Sequence, residues 1–512
     1  MQNKRESGIL LHISSLYTDF GIGDFGLAAY NFVDFLKEAK QKIWQILPIN
    51  PTSFGDSPYQ CFSTFAGNTL FICPKKLVQA GLLSQDDIKN FAHNITFPDS
   101  KINYTDVITL KEEIFRKAFE NFKPCEGYQE FLANNDVWLD DYALFISLKR
   151  HFINERRYAM LPNGENADYF YGAVWNTWDD AIASRKPEAI MHYKLLLNND
   201  ICYHKFLQYI FNVQFSELKE YAVSHGVQIM GDMPIFVAYD SADVWANPEL
   251  FLLDDKGKPT VVAGVPPDYF SKDGQLWGNP LYDWEVHKSG GYEWWINRIK
   301  KAMEAFDILR LDHFRGFHSY WAIPYGAKTA KEGKWQRGSG RELFDVIKHR
   351  LGELPIIAED LGIITPAVTK LLTELDLPGM RVLQFGFDGI GGSTHLPHNF
   401  EMSNLVVYSG THDNDTTIGW YKNATENEKD HMRRYLNTSG ENAAYDLIRA
   451  AFLSCAKIAI IPIQDLLSLG SEHRTNTPGT LCGNWQFRLI KDQLEPHHAE
   501  SLAYLSKLSG RN

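Results

Sequence analysis

The chain has 512 residues, of which 44% are hydrophobic and 22% charged, a composition typical of a globular protein with a substantial core. Its net charge of -12 at pH 7 predicts an acidic surface that repels nucleic acids and anionic membranes, so we expect neither as a partner.

The beginning of the chain and the cysteine pattern indicate a cytoplasmic protein. The apolar run at residues 9–16 contains His12 and is too short for an export signal or a membrane span. The cysteines are scattered without CxxC pairs, which argues against a zinc cage and against a disulfide framework. We therefore expect free thiols.

Short apolar or β-branched runs recur along the chain, each followed by a longer stretch with helical spacing. This alternation is typical of parallel strands joined by crossover helices. Residues 458–463 are apolar throughout, as expected for a strand covered on both faces. We predict an α/β fold, a closed (β/α)8 TIM barrel. Its strands are predicted at residues 8–16, 43–50, 228–237, 308–314, 356–361, 380–385, 405–409 and 457–463.

Two intervals between predicted strands are longer than a crossover helix requires, so we expect insertions around the carboxyl-terminal face of the barrel. Residues 66–200 are predicted to form a mainly helical insertion, in which Asp136 caps a helix over residues 137–152. Residues 238–300 form the second predicted insertion. The chain after residue 463 reads as a helix and loops, without a β-sandwich. We therefore predict one barrel domain over residues 1–512.

Three predicted strands end in carboxylates, and two of these carboxylates stand next to a histidine. Asp312 ends the fourth strand, Glu359 ends the fifth, and Asp413 follows the seventh. Active sites of such barrels lie at the carboxyl ends of the strands, so these side chains should share one cleft. Retaining cleavage of a glycosidic bond requires two carboxyl groups roughly 5–5.5 Å apart. Asp312 and Glu359, on adjacent strands, can form that pair.

The surroundings of this pair suggest different protonation states. Arg310 lies two residues before Asp312, hence on the same face of the strand, and is expected to hold Asp312 ionised with a low pKa. Glu359 has to keep its proton near neutral pH, which burial or the charge of Asp312 would achieve by raising its pKa. The alternative is that these charges only form ion pairs that hold the barrel together. Three carboxylates on separate strands favour a functional site.

Four segments stand out beside the strand ends: SFGDSPYQ at residues 53–60, GDMPIFV at 231–237, PPDYF at 266–270 and QLWGNP at 275–280. Together with the strand ends, they resemble the 4-α-glucanotransferases called amylomaltases or disproportionating enzymes, a branch of the α-amylase clan. The resemblance covers nearly the whole chain. It implies transfer of α-1,4-glucan segments to the 4-hydroxyl of glucose or another glucan, with malto-oligosaccharides and starch or glycogen fragments as substrates.

The resemblance also implies roles for individual residues. Asp312 looks like the nucleophile, Glu359 like the general acid/base, and Asp413 like a third carboxylate that holds sugar hydroxyls. Residues 266–277 resemble a mobile loop over the acceptor side, whose closure would exclude water. Substrate-binding roles are implied for Tyr59, Ser57, Asp232, Asp268, Phe270, Gln275, Trp277, Arg310, His313, His412 and Asn476.

We predict no catalytic metal, because His395, His398 and the pair His497 and His498 lack carboxylate or cysteine partners at ligand spacing. The predicted transferase also needs no cofactor. The leading hypothesis is a catalytic barrel that transfers glucan by two displacements with net retention. Two alternatives stay open. One is a hydrolase of the same clan, which presents the intermediate to water, and the other is a non-catalytic glycan-binding barrel.

Overall fold

The computed structural model describes residues 5–93, 95–154, 173–267, 272–389, 392–480 and 482–511. Eight strands within these ranges form one parallel sheet in the order β10-β11-β12-β1-β2-β3-β6-β9. A hydrogen bond from the Ala358 N–H to the Pro378 carbonyl, at 2.9 Å, joins the two end strands. The predicted (β/α)8 barrel is thereby confirmed. Numbered along the chain, the strands are β1 Glu6–Leu10, β2 Ile43–Gln45, β3 Gln228–Pro234, β4 Val261–Val265, β5 Gln275–Pro280, β6 Ile308–Asp312, β7 Ser319–Pro324, β8 Lys334–Arg337, β9 Ile356–Ala358, β10 Gly379–Val382, β11 Leu405–Tyr408 and β12 Ile458–Pro462.

The barrel strands form where the chain is most continuously apolar, and successive residues point to opposite sides of the sheet. On β6, Ile308 packs in a cluster to which every barrel strand contributes, which is the barrel interior. Leu309 packs in the larger cluster beneath the helices. Arg310 and Asp312 therefore share the inner face with Ile308. The observed strands are shorter than the predicted runs because the residues after each strand turn into the loops of the cleft.

Helices cover the outside of the barrel and fill the long interval between β2 and β3. The last of that series, α9, returns the chain to β3. The predicted limits of the insertions, 66–200 and 238–300, stay predictions. In chain order, the helices are α1 Leu27–Glu38, α2 Pro74–Gln79, α3 Gln85–Ala92, α4 Tyr104–Asn121, α5 Glu126–Asn134, α6 Asp136–Asn154, α7 Asp180–Ala183, α8 Pro187–Leu196, α9 Asn198–Ser224, α10 Ala242–Ala246, α11 Trp284–Ser289, α12 Glu293–Ala305, α13 Arg315–His318, α14 Arg341–Leu351, α15 Pro366–Glu374, α16 Thr417–Asn423, α17 Glu426–Leu436, α18 Ala443–Leu453, α19 Ile463–Leu466 and α20 Pro496–Ser509.

The helix predicted at residues 137–152 corresponds to α6, but its start differs from the prediction. Asp136 is the first helical residue and not the cap. The carbonyl of Asn135 accepts the N–H of Leu139 at 3.0 Å, which closes the first turn. Asn135 therefore occupies the position that was predicted for Asp136.

A second sheet, which the sequence analysis did not predict, is antiparallel with the order β5-β4-β7-β8. Its strands come from two separate crossovers, β4 and β5 from before β6, and β7 and β8 from after it. Within the segment predicted as a mobile loop, residues 266–277, Gln275 and Trp277 belong to β5, and Gln275 pairs with Val265. The mobility of this segment stays a prediction. Residues 268–271 lie outside the described ranges.

Beyond β12, the described residues form α19, α20 and loops. No helix in the described ranges has both the length and the apolar character that a membrane span requires.

Candidate active site

Asp312 and Glu359 lie next to each other at the carboxyl ends of adjacent strands. The register pairs Leu311 of β6 with Ala358 of β9, and the next residue after each of them, Asp312 and Glu359, carries a carboxylate. The Glu359 N–H donates to the Leu311 carbonyl over 3.0 Å, which extends the pairing to this level. Paired strands lie roughly 4.8 Å apart, close to the separation that retaining chemistry requires. The tertiary structure thus brings the two predicted residues together.

Arg310 connects Asp312 to two further predicted residues. Its guanidinium Nη1 lies 3.0 Å from Asp312 Oδ1 and 2.6 Å from Asp232 Oδ2. The Tyr59 hydroxyl donates to the same oxygen of Asp232 over 2.8 Å. The other oxygen, Asp232 Oδ1, is buried without a hydrogen-bond partner among the described residues. This row of contacts fixes the orientation of Asp312 from the barrel interior.

The pKa of Asp312 differs from the expectation. Burial raises the pKa of its carboxyl group, Arg310 lowers it, and the charge of Asp413 raises it again, so that the net shift is upward. The prediction of a low pKa is therefore wrong. Loss of hydration disfavours the charged form more than the guanidinium favours it.

Glu359 is buried, and both of its carboxylate oxygens accept backbone hydrogen bonds. The His313 N–H donates to Oε2 over 2.7 Å, and the Leu361 N–H donates to Oε1 over 3.0 Å. His313 makes this contact from a left-handed conformation with φ of 49°, which is uncommon outside glycine. Burial and the charge of Asp312 raise the pKa of Glu359 to about 8, against the lowering effects of Arg310 and the two N–H donors. The carboxyl group is therefore protonated at pH 7.

Asp413 is the most exposed of the three carboxylates, and residues after β12 hold it in place. Its side chain is 47% exposed, compared with 26% for Asp312. The Asn476 side-chain Nδ2 donates to Asp413 Oδ1 over 2.6 Å, and the Asn476 N–H donates to the His412 carbonyl over 3.1 Å. Arg474 donates to the Asp413 carbonyl over 2.5 Å. The position of Asp413 thus depends on contacts with residues that follow the neighbouring strand, β12.

Aromatic rings line the cleft beside these carboxylates. The Tyr59 and His412 rings stack with centroids 5.1 Å apart and planes 14° from parallel. Trp485 packs against both rings, with centroid distances of 5.7 Å and 5.9 Å. At another edge of the cleft, Trp277 packs edge-on against the His313 ring, with the ring centroids 4.9 Å apart. Flat apolar surfaces beside polar groups suit the faces of a glucose ring.

Comparison with known proteins identifies the protein family of this chain. A family model described as 4-alpha-glucanotransferase matches residues 11–492. The chain belongs to the 4-alpha-glucanotransferase family. The 4-alpha-glucanotransferase of Synechocystis sp. is 44% identical over 100% of this chain and 99% of its own length. That of Thermus thermophilus is 43% identical over 100% of both chains.

A solved structure of the same family agrees in fold. The amylomaltase from Streptococcus agalactiae in complex with acarbose has a TM-score of 0.92 and 42% identity, over 99% of this chain and 100% of that chain. The present chain is thus an enzyme that transfers α-1,4-glucan segments, and neither the hydrolase nor the non-catalytic barrel is favoured.

In this transferase, a buried carboxylate holds both ends of the loop that carries His412 and Asp413. Asp465, on α19, accepts the Ser409 hydroxyl at 2.6 Å, just before the loop. It also accepts the Thr417 N–H at 2.7 Å and the Thr417 hydroxyl at 2.8 Å, just after the loop. We refer to these contacts of Asp465 with Ser409 and Thr417 as the loop clamp. Its partners are far apart in sequence, so no local pattern pointed to it.

Most of the predicted site residues are connected by these contacts. Ser57 is also connected, because its hydroxyl accepts a hydrogen bond from the Tyr59 N–H at 3.3 Å. Gln275 is connected through its side-chain oxygen, which accepts the Trp277 indole N–H at 3.1 Å. Asp268 and Phe270 lie outside the described residues. The residues brought together are Tyr59, Ser57, Asp232, Gln275, Trp277, Arg310, Asp312, His313, Glu359, His412, Asp413 and Asn476.

Arg474, Trp485 and Asp465 also contribute to the site and were not predicted from the sequence. Arg474 could have been found, because it stands two residues before Asn476 and can reach the same loop. Trp485 gave no signal, since aromatic residues are frequent in the chain and most of them pack in the core. In the part of the chain that the structure describes, no group of three or more His, Cys, Asp or Glu side chains is arranged to hold a metal ion.

Proposed function

We propose that transfer proceeds by a retaining double displacement, with Asp312 as nucleophile, Glu359 as general acid and base, and Asp413 as the carboxylate that binds sugar hydroxyls. The observation that carries this proposal is the neighbouring position of Asp312 and Glu359 at the ends of paired strands. Further support comes from the ion pair between Arg310 and Asp312.

In the first displacement, the carboxylate of Asp312 attacks the anomeric carbon of the donor glucan while the glycosidic bond breaks. Glu359 gives its proton to the leaving oxygen, so the released fragment ends in a hydroxyl group. With a pKa of about 8, Glu359 holds that proton at neutral pH. Arg310 favours the ionised form of Asp312 against the effect of burial. The result is a glycosyl ester on Asp312.

In the second displacement, the 4-hydroxyl of an acceptor sugar attacks the same carbon and the ester bond to Asp312 breaks. Glu359, now a carboxylate, takes the hydroxyl proton, so both carboxyl groups return to their starting states. Two inversions give net retention. We further propose that the loop at residues 266–277 closes over the acceptor side, because exclusion of water favours transfer over hydrolysis.

Sugar binding is assigned to the side chains around this pair. The ring of Tyr59, oriented by Ser57 and Asp232, packs against glucose at the reacting position. Trp277 and Gln275 contribute to the acceptor side. The assignment of Asp268 and Phe270 to the acceptor side rests on the family resemblance alone. Hydrogen bonds to sugar hydroxyls are assigned to Arg310, His313, His412 and Asn476.

The finer substrate and cellular assignments are also proposals. Malto-oligosaccharides and starch or glycogen fragments are the proposed substrates, and the acidic composition disfavours nucleic acid. All six cysteines are free, which fits a reducing, cytoplasmic environment. We keep one catalytic domain, with insertions at residues 66–200 and 238–300, as the proposed organisation.

Incubation with maltotriose tests the chemistry. Transfer yields glucose and longer oligosaccharides while the number of reducing ends stays constant, whereas hydrolysis increases that number. Asp312→Asn should lower turnover on the order of a thousandfold or more.

Asp307→Asn is the matched control. Asp307 stands directly before β6, at its opposite end, where its carboxylate accepts the Ile229 N–H at 2.9 Å. The control should retain turnover. If the folded Asp312→Asn variant kept wild-type turnover, the assignment of the nucleophile would be wrong.

A further inference from the structure

His12 lies at the carboxyl end of a barrel strand to which no site residue has been assigned. It follows β1, which pairs with β12 on one side and β2 on the other. Those neighbours lead into the segments that carry Asn476 and Tyr59. The carboxyl end of β1 therefore faces the same cleft as the catalytic carboxylates.

The backbone of the β2 segment fixes the protonation of the His12 ring. The Leu47 N–H donates to His12 Nδ1 over 3.2 Å, so this nitrogen is the acceptor and the ring proton is on Nε2. Phe71 meets the ring edge-on at 5.4 Å and 81°, which holds its plane. Burial, together with the charge of His412, lowers the pKa of His12 to about 3. The ring is therefore neutral at neutral pH and offers one N–H donor.

This donor is left without a protein partner. His12 is partly exposed, and its Nε2 has no hydrogen-bond partner among the described residues. His412, which interacts electrostatically with His12, stacks on the Tyr59 ring, and this places the His12 ring near the aromatic side of the cleft. A rigid, neutral donor beside that surface matches the hydrogen-bonding needs of an uncharged sugar hydroxyl.

We propose that the His12 Nε2–H donates a hydrogen bond to a hydroxyl of the glucose unit that packs against Tyr59. This role rests on the proposed function of the cleft. His12 is a binding residue and not an acid or base, since the neutral ring keeps its proton throughout the reaction. Its effect is to help orient the glucose whose anomeric carbon reacts.

Two substitutions separate binding from structure. In His12→Asn, the side-chain oxygen takes the position of Nδ1 and can still accept the Leu47 N–H, but the distal donor is lost. In His12→Gln, the amide nitrogen reaches the position of Nε2 and restores the donor, while the contact with Leu47 is weakened. A role in substrate binding predicts damage by asparagine and partial rescue by glutamine, whereas a structural role predicts the reverse.

Acarbose, which a solved relative binds, serves as the probe because its binding requires no turnover. We expect the Kd of acarbose, measured by titration calorimetry, to rise roughly tenfold in His12→Asn, the size of one lost hydrogen bond. His12→Gln should stay within about threefold of wild type. Melting temperatures report the structural contribution separately.

Maltotriose analogues that lack single hydroxyls identify the contact. The analogue without the contacted hydroxyl should show no further loss of kcat/KM with His12→Asn, while the other analogues should show the full loss. The proposal is overturned if His12→Asn binds acarbose like wild type, or if the glutamine variant is the weaker binder. A failure of the nucleophile assignment would instead appear as turnover by Asp312→Asn, with the acarbose comparison unaffected.

Discussion

Substitution of Asp465 tests whether the loop clamp positions the catalytic loop. Asp465→Ala removes the acceptor of three hydrogen bonds, from the Ser409 hydroxyl and from the N–H and hydroxyl of Thr417. The two hydroxyls can turn to other partners, but the Thr417 N–H cannot. Asp465→Asn keeps one side-chain oxygen for that N–H and adds an amide that can donate to Ser409.

The expected loss of stability follows from this difference. Hydrogen bonds to charged groups contribute about 1.5–3 kcal/mol each. Burial, however, raises the pKa of Asp465 despite these bonds, so removal of the charge offsets part of the loss. What remains is mainly one buried N–H without an acceptor, about 2 kcal/mol. An unfolding entropy of roughly 2.1 cal/mol/K per residue gives about 1.1 kcal/mol/K for 512 residues, hence a decrease in Tm of about 2 °C.

The catalytic effect should exceed this modest destabilisation. His412 and Asp413 lie on the loop between Ser409 and Thr417, and a displacement of about 1 Å can cost on the order of a hundredfold in rate. We expect Asp465→Ala to lower kcat for maltotriose about 10- to 100-fold, and Asp465→Asn to lower it less than about 10-fold.

The assay is initial-rate release of glucose from maltotriose, together with thermal unfolding of each variant. Asp307→Ala provides the matched control, because it also removes a carboxylate that accepts a backbone N–H, but at the other end of the barrel. The control should lose stability and keep kcat. The reasoning is refuted if Asp465→Ala loses stability to the same extent and retains wild-type kcat.

Three further predictions concern the site itself. Since burial and the charge of Asp312 raise the pKa of Glu359 to about 8, kcat/KM should be retained from about pH 7 up to that pH and fall to about one-tenth near pH 9. At lower pH, protonation of Asp312, whose pKa is also raised, should reduce kcat/KM. A decrease with rising pH that begins below about pH 6 would contradict the assignment of Glu359 as the acid. Tyr59→Phe keeps the ring but removes the donor to Asp232, so thermal unfolding should show a loss of about 2 kcal/mol, and an unchanged Tm would speak against the contact. Asn476→Asp places a carboxylate against Asp413, so charge repulsion should lower kcat/KM at least about tenfold at pH 7. Part of the activity should return at lower pH, where one carboxylate is protonated. A pH-independent loss would exclude repulsion as the cause.

The barrel itself was predictable from the sequence. Parallel strands covered on both faces are apolar at nearly every position, so runs such as the one that became β12 can be recognised without any tertiary information. Asp312 and Glu359 were predictable for the same reason, since each closes such a run. The second sheet was not, because β4 pairs with β7 across the whole of β6 and its crossover helices.

Local periodicity along the chain determined which residues form barrel strands, and the strand ends determined which carboxylates enter the cleft. Only the tertiary structure decided the electrostatic balance and the supporting contacts. The pKa of Asp312 depends on how much water the folded cleft excludes, and the position of Asp413 depends on Asn476, which follows a different strand. Both depend on groups that are distant in sequence and come into contact only in the folded barrel, so local sequence patterns do not predict them.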